Sequence, residues 1–402
     1  MKVLYITYDG LTDSLGGSQV LPYIKACASK DLTFHILSYE KAGGSKILMD
    51  EIRADLTSRG IQWTARRYHK KPALFSTFYD IADMMIQARG IVKYDRAEVL
   101  HCRGYIAAFA AFSIRRWHKI KVLFDIRGFW ADERLEGGIW KRSNPLHQWM
   151  YRYLKRKELY WWKASDHVIS LTEKGKEIIM KKVPEIVKEG ISIIPCCADE
   201  NLFKIPMVDE RRTLRKELNV SDADKIMVYV GSLGTWYMAR EMMRTFRVLS
   251  ESKVVDRFLW VTKGDSEMIL NLAKDENVDP SNILIRKAGR TEVAEYLKLA
   301  DLGIFFIRPT FSKWASSPTK LGEMLMAGLP VIANRGVGDL DQIFTVHQVG
   351  MLINVDECNQ IVAEKVEEIM KYDRAEIRKV GLATASLSFA KERYLAAYNL
   401  LK

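Results

Sequence analysis

Short apolar runs separated by longer stretches of helical periodicity recur along this chain, and halfway through the series begins again. That pattern restricts the fold to parallel sheets with crossover helices, built twice. The first series comprises Lys2–Tyr8, Thr33–Tyr39, Val99–Cys102, Lys121–Asp125, His167–Leu171 and Ile191–Pro195. After a polar stretch around Asn201–Asp209 come Lys225–Val230, Arg257–Thr262, Ile283–Arg286, Asp301–Ile307 and Leu329–Ala333. Two Rossmann-like, doubly wound α/β domains are therefore expected, over residues 1–200 and 201–380, with the boundary near Pro195–Pro206. A helix over 381–402 is expected to return to the first domain. The length of 402 residues suits two domains of roughly 200 each.

No run approaches the ~18 apolar residues a spanning helix needs. Met1–Tyr8 is a short apolar run closed at once by Asp9-Gly10, unlike a secretory signal, so a cytoplasmic protein is expected. The five cysteines, at 27, 102, 196, 197 and 358, are odd in number and lack metal-ligand spacing, which predicts reduced thiols. Charge is uneven. Residues 1–200 hold 33 Lys+Arg against 23 Asp+Glu, and residues 201–402 hold 29 against 27, so the first half carries +10 of the net +12. Something anionic should meet the first half: nucleic acid, a membrane surface or a phosphorylated acceptor.

Ligands of doubly wound sheets sit beyond the carboxyl ends of the strands. Gly16-Gly17-Ser18 lies too far from the first strand and lacks the G-x-G-x-x-G spacing, which argues against a nicotinamide dehydrogenase. The most informative stretch is SSPTKLGEMLMAGLPVIA, residues 316–333. Ser317 suits an N-cap and Pro318 the first helical position, so a helix should open here with free amides that attract phosphate. Lys320 adds a cation at that terminus, and Glu323 falls on the same face, where it can accept hydrogen bonds from sugar hydroxyls. The plain alternative is an ordinary capped helix with a surface Lys and Glu.

EMLMAGLPVIA followed by Asn334-Arg335-Gly336-Val337-Gly338 resembles the donor-binding signature of family-4 retaining glycosyltransferases of the GT-B fold, the bacterial surface-polysaccharide type. Gly16-Gly17-Ser18-Gln19 resembles the family's glycine loop, ISIIPCCADENLF (191–203) its interdomain segment, YVGSLG (229–234) the first donor-domain strand, and ADLGIFFIRPT (300–310) the strand before the signature. The resemblance implies two domains facing each other across a cleft and transfer of a sugar from a nucleoside diphosphate with retention. It implies no metal and no cofactor beyond that donor. Glu323 then corresponds to the second glutamate of the family's E-x7-E pair, on the ribose, and residues Ser316, Ser317, Thr319 and Lys320 to the diphosphate loop. Two features depart from the pattern. The first glutamate falls on Ala315, and the Arg and Lys expected after the YVG strand are missing from SLGTWY (232–237). Lys263, Arg290 and Lys320 are the candidate substitutes. Gly16 and Gly17 are expected to let the backbone approach donor and acceptor.

In the first domain, Arg127 in FDIRGFWADERLEGG (124–138) stands about where the family carries a catalytic-site histidine. Asp125 and Arg127 are expected to face apart, so that only one should reach the cleft. His101 and Arg103 in HCRG resemble another cleft-facing position, although a lone histidine at a strand end is commonly structural. Asp222-Ala223-Asp224, superficially a D-x-D metal motif, is expected to be a solvated turn. Between Trp140 and Lys163 stand seven aromatic residues, seven Lys or Arg and one acid, a membrane-surface composition unless Leu146, Trp149, Met150, Tyr153 and Leu154 form a buried stripe. Arg59–Lys71 adds five basic residues and no acid, with Trp63 and Tyr68. With no nucleic-acid module present, the expected partners are a nucleotide-sugar donor, a glycan or lipid-linked glycan acceptor and an anionic membrane. The expected location is peripheral, on the cytoplasmic face. A sugar-nucleotide epimerase or phosphorylase of the same fold, or a nucleotide-sugar-binding scaffold without catalysis, are the rival functions.

Overall fold

The computed structural model describes residues 1–186 and 188–402. Contacts divide the chain into two compact units, Met1–Pro195 with Ala390–Lys402, and Cys196–Phe389. The first unit thus ends at Pro195 rather than 200, and the returning segment begins at Ala390 rather than 381. The cause is a parallel bridge between Ala198 and Ser386 inside the second unit. There the Ala198 amide donates to the Ala385 carbonyl (2.8 Å) and the Leu387 amide to the Ala198 carbonyl (2.9 Å).

The first unit runs β1 (Lys2–Thr7), α1 (Ser14–Gln19), α2 (Leu21–Cys27), β2 (Thr33–Glu40), α3 (Lys46–Ser58), β3 (Gln62–Arg67), α4 (Ala73–Asp95), β4 (Val99–Arg103), α5 (Gly104–Arg115), β5 (Lys121–Asp125), α6 (Trp130–Glu136), α7 (Pro145–Ala164), β6 (His167–Ser170), α8 (Glu173–Lys182) and β7 (Ile191–Ile193). Its seven strands are all parallel, in the order β3-β2-β1-β4-β5-β6-β7. Central strands are covered by helices on both faces, so β4 and β6 are buried at every position and β1 at all but Lys2. Register places Thr7, Arg103 and Asp125 abreast at the carboxyl ends of β1, β4 and β5. Helix α5 packs against α4 on one side and α7 on the other.

The second unit runs α9 (Val208–Glu217), β8 (Ile226–Val230), α10 (Ala239–Glu251), β9 (Arg257–Val261), α11 (Ser266–Asp275), β10 (Ile283–Arg286), α12 (Arg290–Leu299), β11 (Leu302–Phe305), α13 (Thr319–Met326), β12 (Val331–Asn334), α14 (Leu340–Val346), β13 (Gly350–Ile353), α15 (Ala363–Ile369) and α16 (Arg374–Ala385), and α17 (Leu387–Asn399) closes the chain. Its six parallel strands follow the order β10-β9-β8-β11-β12-β13. One continuous core, with Trp260, Phe246, Phe258, Phe305 and Met324 fully buried, fills the space between sheet and helices. The turn holding Asp222 and Asp224 is closed by the Arg215 guanidinium, which donates to the carbonyls of Ser221, Asp222 and Asp224. All five cysteines are buried. Among the described residues no helix is long and apolar enough to cross a membrane.

Two strands were not expected, β3 and β13, and both lie at sheet edges. An edge strand is half wet and need not read as an apolar run. In β3 (QWTARR) only Trp63 is buried, and Arg66 forms an ion pair with Asp83 at 2.7 Å. Of the basic stretch Arg59–Lys71, Arg59 and Arg66 are held in ion pairs with Asp55 and Asp83, and Arg67, Lys70 and Lys71 are exposed.

Candidate functional site

The second sheet reverses its order between β8 and β11, the point beyond which open α/β sheets bind ligands. The chain leaves β8 through Gly231 at φ +146°, where a Cβ would stand 2.9 Å from the Tyr229 hydroxyl and 3.0 Å from Lys320 Nζ, so only glycine fits. Helix α13 starts one residue later than expected. Pro318 is its N-cap residue and no side chain caps it, because the Ser317 hydroxyl instead accepts the Cys196 amide at 3.1 Å. Ser316, Ser317 and Thr319 are half-buried at this start.

Lys320, in the first turn of α13, is 6% exposed and its Nζ makes no hydrogen bond. The ammonium rests 3.4 Å from the Tyr237 ring centre and 5.0 Å from that of Tyr229. Rings compensate a buried charge only in part, so burial pushes the Lys320 pKa down to about 7 against the pull of Glu323. Glu323, one turn on, is also buried. Burial raises its carboxyl to about 7, opposed by Arg290 and Lys320. Arg290, first residue of α12, places Nη1 3.7 Å from Glu323 Oε1 and lies over the Phe203 ring. Lys320, Glu323 and Arg290 are thus one electrostatic group. Lys263 remains exposed just beyond β9.

Ala315 is fully buried in a 3-10 turn (Phe311–Ala315), so its position offers no carboxylate. The loop lacking the expected Arg/Lys pair supplies two rings instead. Tyr237 takes Lys320, and Trp236 takes Lys313, whose Nζ lies 3.8 Å from the ring centre in a nearly buried setting. Lys313, Trp236, Tyr237 and Tyr229 were missed because a search for cations passes over aromatic residues. The signal was Trp236-Tyr237 standing where charge was expected.

In the first unit the order reverses between β1 and β4. The segment after β1 is helical rather than a loop: Gly16 and Gly17 lie within α1. A Cβ on Gly16 would fall 2.0 Å from the Gly10 carbonyl oxygen, so this glycine serves the close approach of the chain to itself, whereas a Cβ on Gly17 would meet nothing within 4 Å. Glu40, buried at the end of β2, fixes the same segment by accepting the amides of Leu11 (2.8 Å) and Thr12 (3.1 Å) and the hydroxyls of Thr12 (2.7 Å) and Ser38 (2.6 Å). Glu40→Gln turns an NH2 group toward donors, so it should cost about 1–3 kcal/mol, read as a lower urea midpoint at constant slope. An unchanged midpoint would mean that other contacts hold the loop.

Asp125 and Arg127 do not diverge. Residues two apart in an extended chain share a face, and Arg127, which follows β5 at φ +51°, places Nη1 3.6 Å from Asp125 Oδ1 and Nη2 3.5 Å from Gln19 Oε1. Arg103 completes the group, its Nε 3.4 Å from Asp9 and its Nη1 3.8 Å from Asp125 Oδ2. Burial opposes ionisation of Asp125, yet Arg127, the His101 ring and Arg103 hold its pKa down to about 2. His101 does not reach the open end. It is fully buried two residues before the strand terminus, with Nδ1 2.6 Å from the Tyr398 hydroxyl and its ring 4.3 Å from that of Tyr5. Burial lowers its pKa and keeps the imidazole neutral, so His101 supports Asp125 from within. Tyr394 adds a hydroxyl donor to Asp125 at 3.1 Å.

Residues 28–202 match the family model described as Glycosyltransferase Family 4, and residues 210–380 the model described as Glycosyl transferases group 1. Among solved structures, a glycosyltransferase from Rickettsia africae ESF-5 is similar with a TM-score of 0.70 at 14% identity, covering 100% of this chain and 98% of that one. HepE from Anabaena, in complex with UDP-glucose, gives 0.67 at 12% identity, with 99% of each chain covered. The lipopolysaccharide outer core galactosyltransferase WaaB, in its apo form, gives 0.66 at 13% identity, again with 99% of each covered. No curated protein matches the chain by sequence.

Proposed function

The chain belongs to glycosyltransferase family 4 and has the GT-B type of fold; from that premise we propose that it moves a hexosyl group from a nucleoside-diphosphate sugar to a glycan acceptor, retaining the anomeric configuration and using no metal. The supporting observation is Lys320, a buried ammonium without a hydrogen bond in the uncapped first turn of α13. Such a group is costly unless an anion completes it. The donor diphosphate supplies that anion, held by Lys320 and the amides of Ser317, Thr319 and Lys320, with Glu323 on the ribose and Arg290 beside it. Lys263 lies on the rim. The complex of HepE with UDP-glucose favours a uridine nucleotide as first candidate.

In the reaction the bond from the anomeric carbon to the diphosphate oxygen breaks, the acceptor oxygen bonds to that carbon on the same face, and the acceptor proton passes to the departing diphosphate. Placement and charge neutralisation supply most of what this requires, because the diphosphate is already a good leaving group. Ala315 leaves no carboxylate at that position to intercept the sugar. On the acceptor side Asp125, its pKa held down to about 2, is too weak a base to take the acceptor proton; fully buried, it orients Arg103 and Arg127.

The acceptor is lipid-linked in this proposal, and the enzyme works at the cytoplasmic face of a membrane. Outward residues of α7 support it: Trp149 is 59% exposed and stacks on Tyr153, with Leu146, Tyr160, Arg152 and Arg156 exposed beside them. That corrects the alternative of a buried stripe through Leu146, Trp149 and Tyr153. The side actually buried carries Leu154, Glu158, Trp161 and Trp162. Lys155 belongs to that inner side, bonded to Asp132 and Glu158. The test is transfer of labelled sugar from UDP-, GDP- and ADP-sugars to a lipid-glycan extract, with release of the nucleoside diphosphate followed in parallel. Nucleotide binding without release in every combination would favour the scaffold function, and isomerised donor the epimerase.

A further inference from the structure

Helix α4 carries a face that the fold leaves uncovered. Its inner side, with Met84, Ala88 and Val92 buried, packs against α5 and β1. On its outer side Phe75 (77% exposed), Phe78, Tyr79 and Ile86 project into solvent, with Ala82 exposed between them. These positions are spaced i, i+3, i+4, i+7 and i+11, a single stripe.

The acids of this helix lie elsewhere. Asp80 accepts the Tyr8 hydroxyl at 2.7 Å and bonds the His69 ring at 2.6 Å. Asp83 pairs with Arg66 and accepts the Tyr39 hydroxyl, and Asp95 holds the His35 ring. The stripe therefore continues into Arg89 and Lys93, both exposed, without a carboxylate among them, and Arg67, Lys70 and Lys71 stand exposed before its first turn. An apolar stripe bounded at both ends by cations and stripped of acids complements a surface that is apolar within and anionic at its edge. The aromatic and basic outer face of α7 belongs to the same helix layer, since α5 packs between α4 and α7.

We infer that α4 is a membrane-insertion helix, placing Phe75, Phe78, Tyr79 and Ile86 below the headgroups of an anionic bilayer while Arg67, Lys70, Lys71, Arg89 and Lys93 meet lipid phosphates. This rests on the membrane location proposed above and adds a second, apolar contact to the electrostatic one of α7. Ala82 is an exposed point on the stripe, and the natural cysteines are all buried, so Ala82→Cys accepts an environment-sensitive fluorophore selectively.

With vesicles of phosphatidylcholine containing one-third phosphatidylglycerol, the label at 82 should shift to the blue; with phosphatidylcholine alone it should not. The triple variant Phe75→Ser, Phe78→Ser, Ile86→Ser should sediment with anionic vesicles roughly tenfold more weakly than wild type or worse, and its residual binding should vanish in high salt. A parallel variant, Arg152→Glu, Arg156→Glu, Lys157→Glu, tests α7 separately and spares Lys155, which is bonded to Asp132 and Glu158. If wild type sediments with no vesicle, the membrane location fails and α4 with it. Suppose instead that wild type and the α4 variant sediment equally and the label does not shift, while the α7 variant is impaired. Then only the role of α4 is overturned. A wild-type dimer that the serine variant converts to monomer would also overturn it, by showing that a second copy covers the stripe.

Discussion

Lys320→Met is expected to lower turnover about 10²–10³-fold while changing the Kd for the intact UDP-sugar less than tenfold. In the ground state the diphosphate already bears its charge and shares it with the amides opening α13. As the sugar leaves, further negative charge collects on the bridging oxygen, and the ammonium between the rings of Tyr237 and Tyr229 is a fixed cation in a dry setting. An interaction that strengthens only as the bond breaks appears in kcat rather than in binding. The same substitution should raise the melting temperature of the ligand-free protein, since it removes a buried charge that only rings and Glu323 compensate. The pH dependence carries the same signature. With the folded pKa lowered to about 7, the native state binds fewer protons than the unfolded chain between there and the usual lysine value near 10.5. Wild-type stability therefore gains from this group as pH rises through that window, and Lys320→Met should lose the gain. Normal turnover together with an unchanged melting curve would make Lys320 an ordinary buried residue and move the site.

The central strands were legible because a strand covered on both faces must be apolar throughout, as Tyr229 and Val228 in β8 or Ile332 and Ala333 in β12 are. The edges were not, because β3 spends its side chains on a half-wet surface and β13 opens with a glycine. Within the site, residues 316–323 stood out through spacing alone, while Ser317 was misassigned as the cap because nothing in its neighbours discloses the Cys196 amide, far away in sequence, that its hydroxyl accepts. Asp125 and Arg127 were set on opposite faces although residues two apart in an extended chain share one, and the left-handed φ of Arg127 was not anticipated. His101 was a cleft-facing candidate through the resemblance, its strand-end position pointing instead to a structural role, and the returning helix that buries it lies almost 300 residues later, with Tyr398 as its partner. The α4 stripe was hidden by its own acids. Asp80, Asp83 and Asp95 interrupt it in the sequence, and only the fold shows them bonded to Tyr8, Arg66 and His35.

Glu323→Gln is expected to weaken UDP binding by about 1.5–3 kcal/mol, roughly 10- to 150-fold in Kd, because a charged acceptor of ribose hydroxyls becomes neutral in a buried site. Its pH profile separates this from general damage. Burial holds the free Glu323 carboxyl up at about 7, so below that pH the group is protonated and a proton must leave before the carboxylate can accept both hydroxyls. Affinity should then rise with pH until Glu323 is ionised. Lys320 works in the opposite sense, since above about 7 the free lysine is neutral and must gain a proton to meet the diphosphate. Wild type should show a maximum in affinity near neutrality, with proton release on its acid side and proton uptake on its basic side. Calorimetry between about pH 5.5 and 9, in buffers of different ionisation heat, reads both quantities. Glu323→Gln should flatten the acid limb alone and Lys320→Met the basic limb alone. An acid limb that survives unchanged in Glu323→Gln would assign the ribose to a different carboxylate, and the electrostatic group of Lys320, Glu323 and Arg290 would then be a device of folding rather than of donor binding.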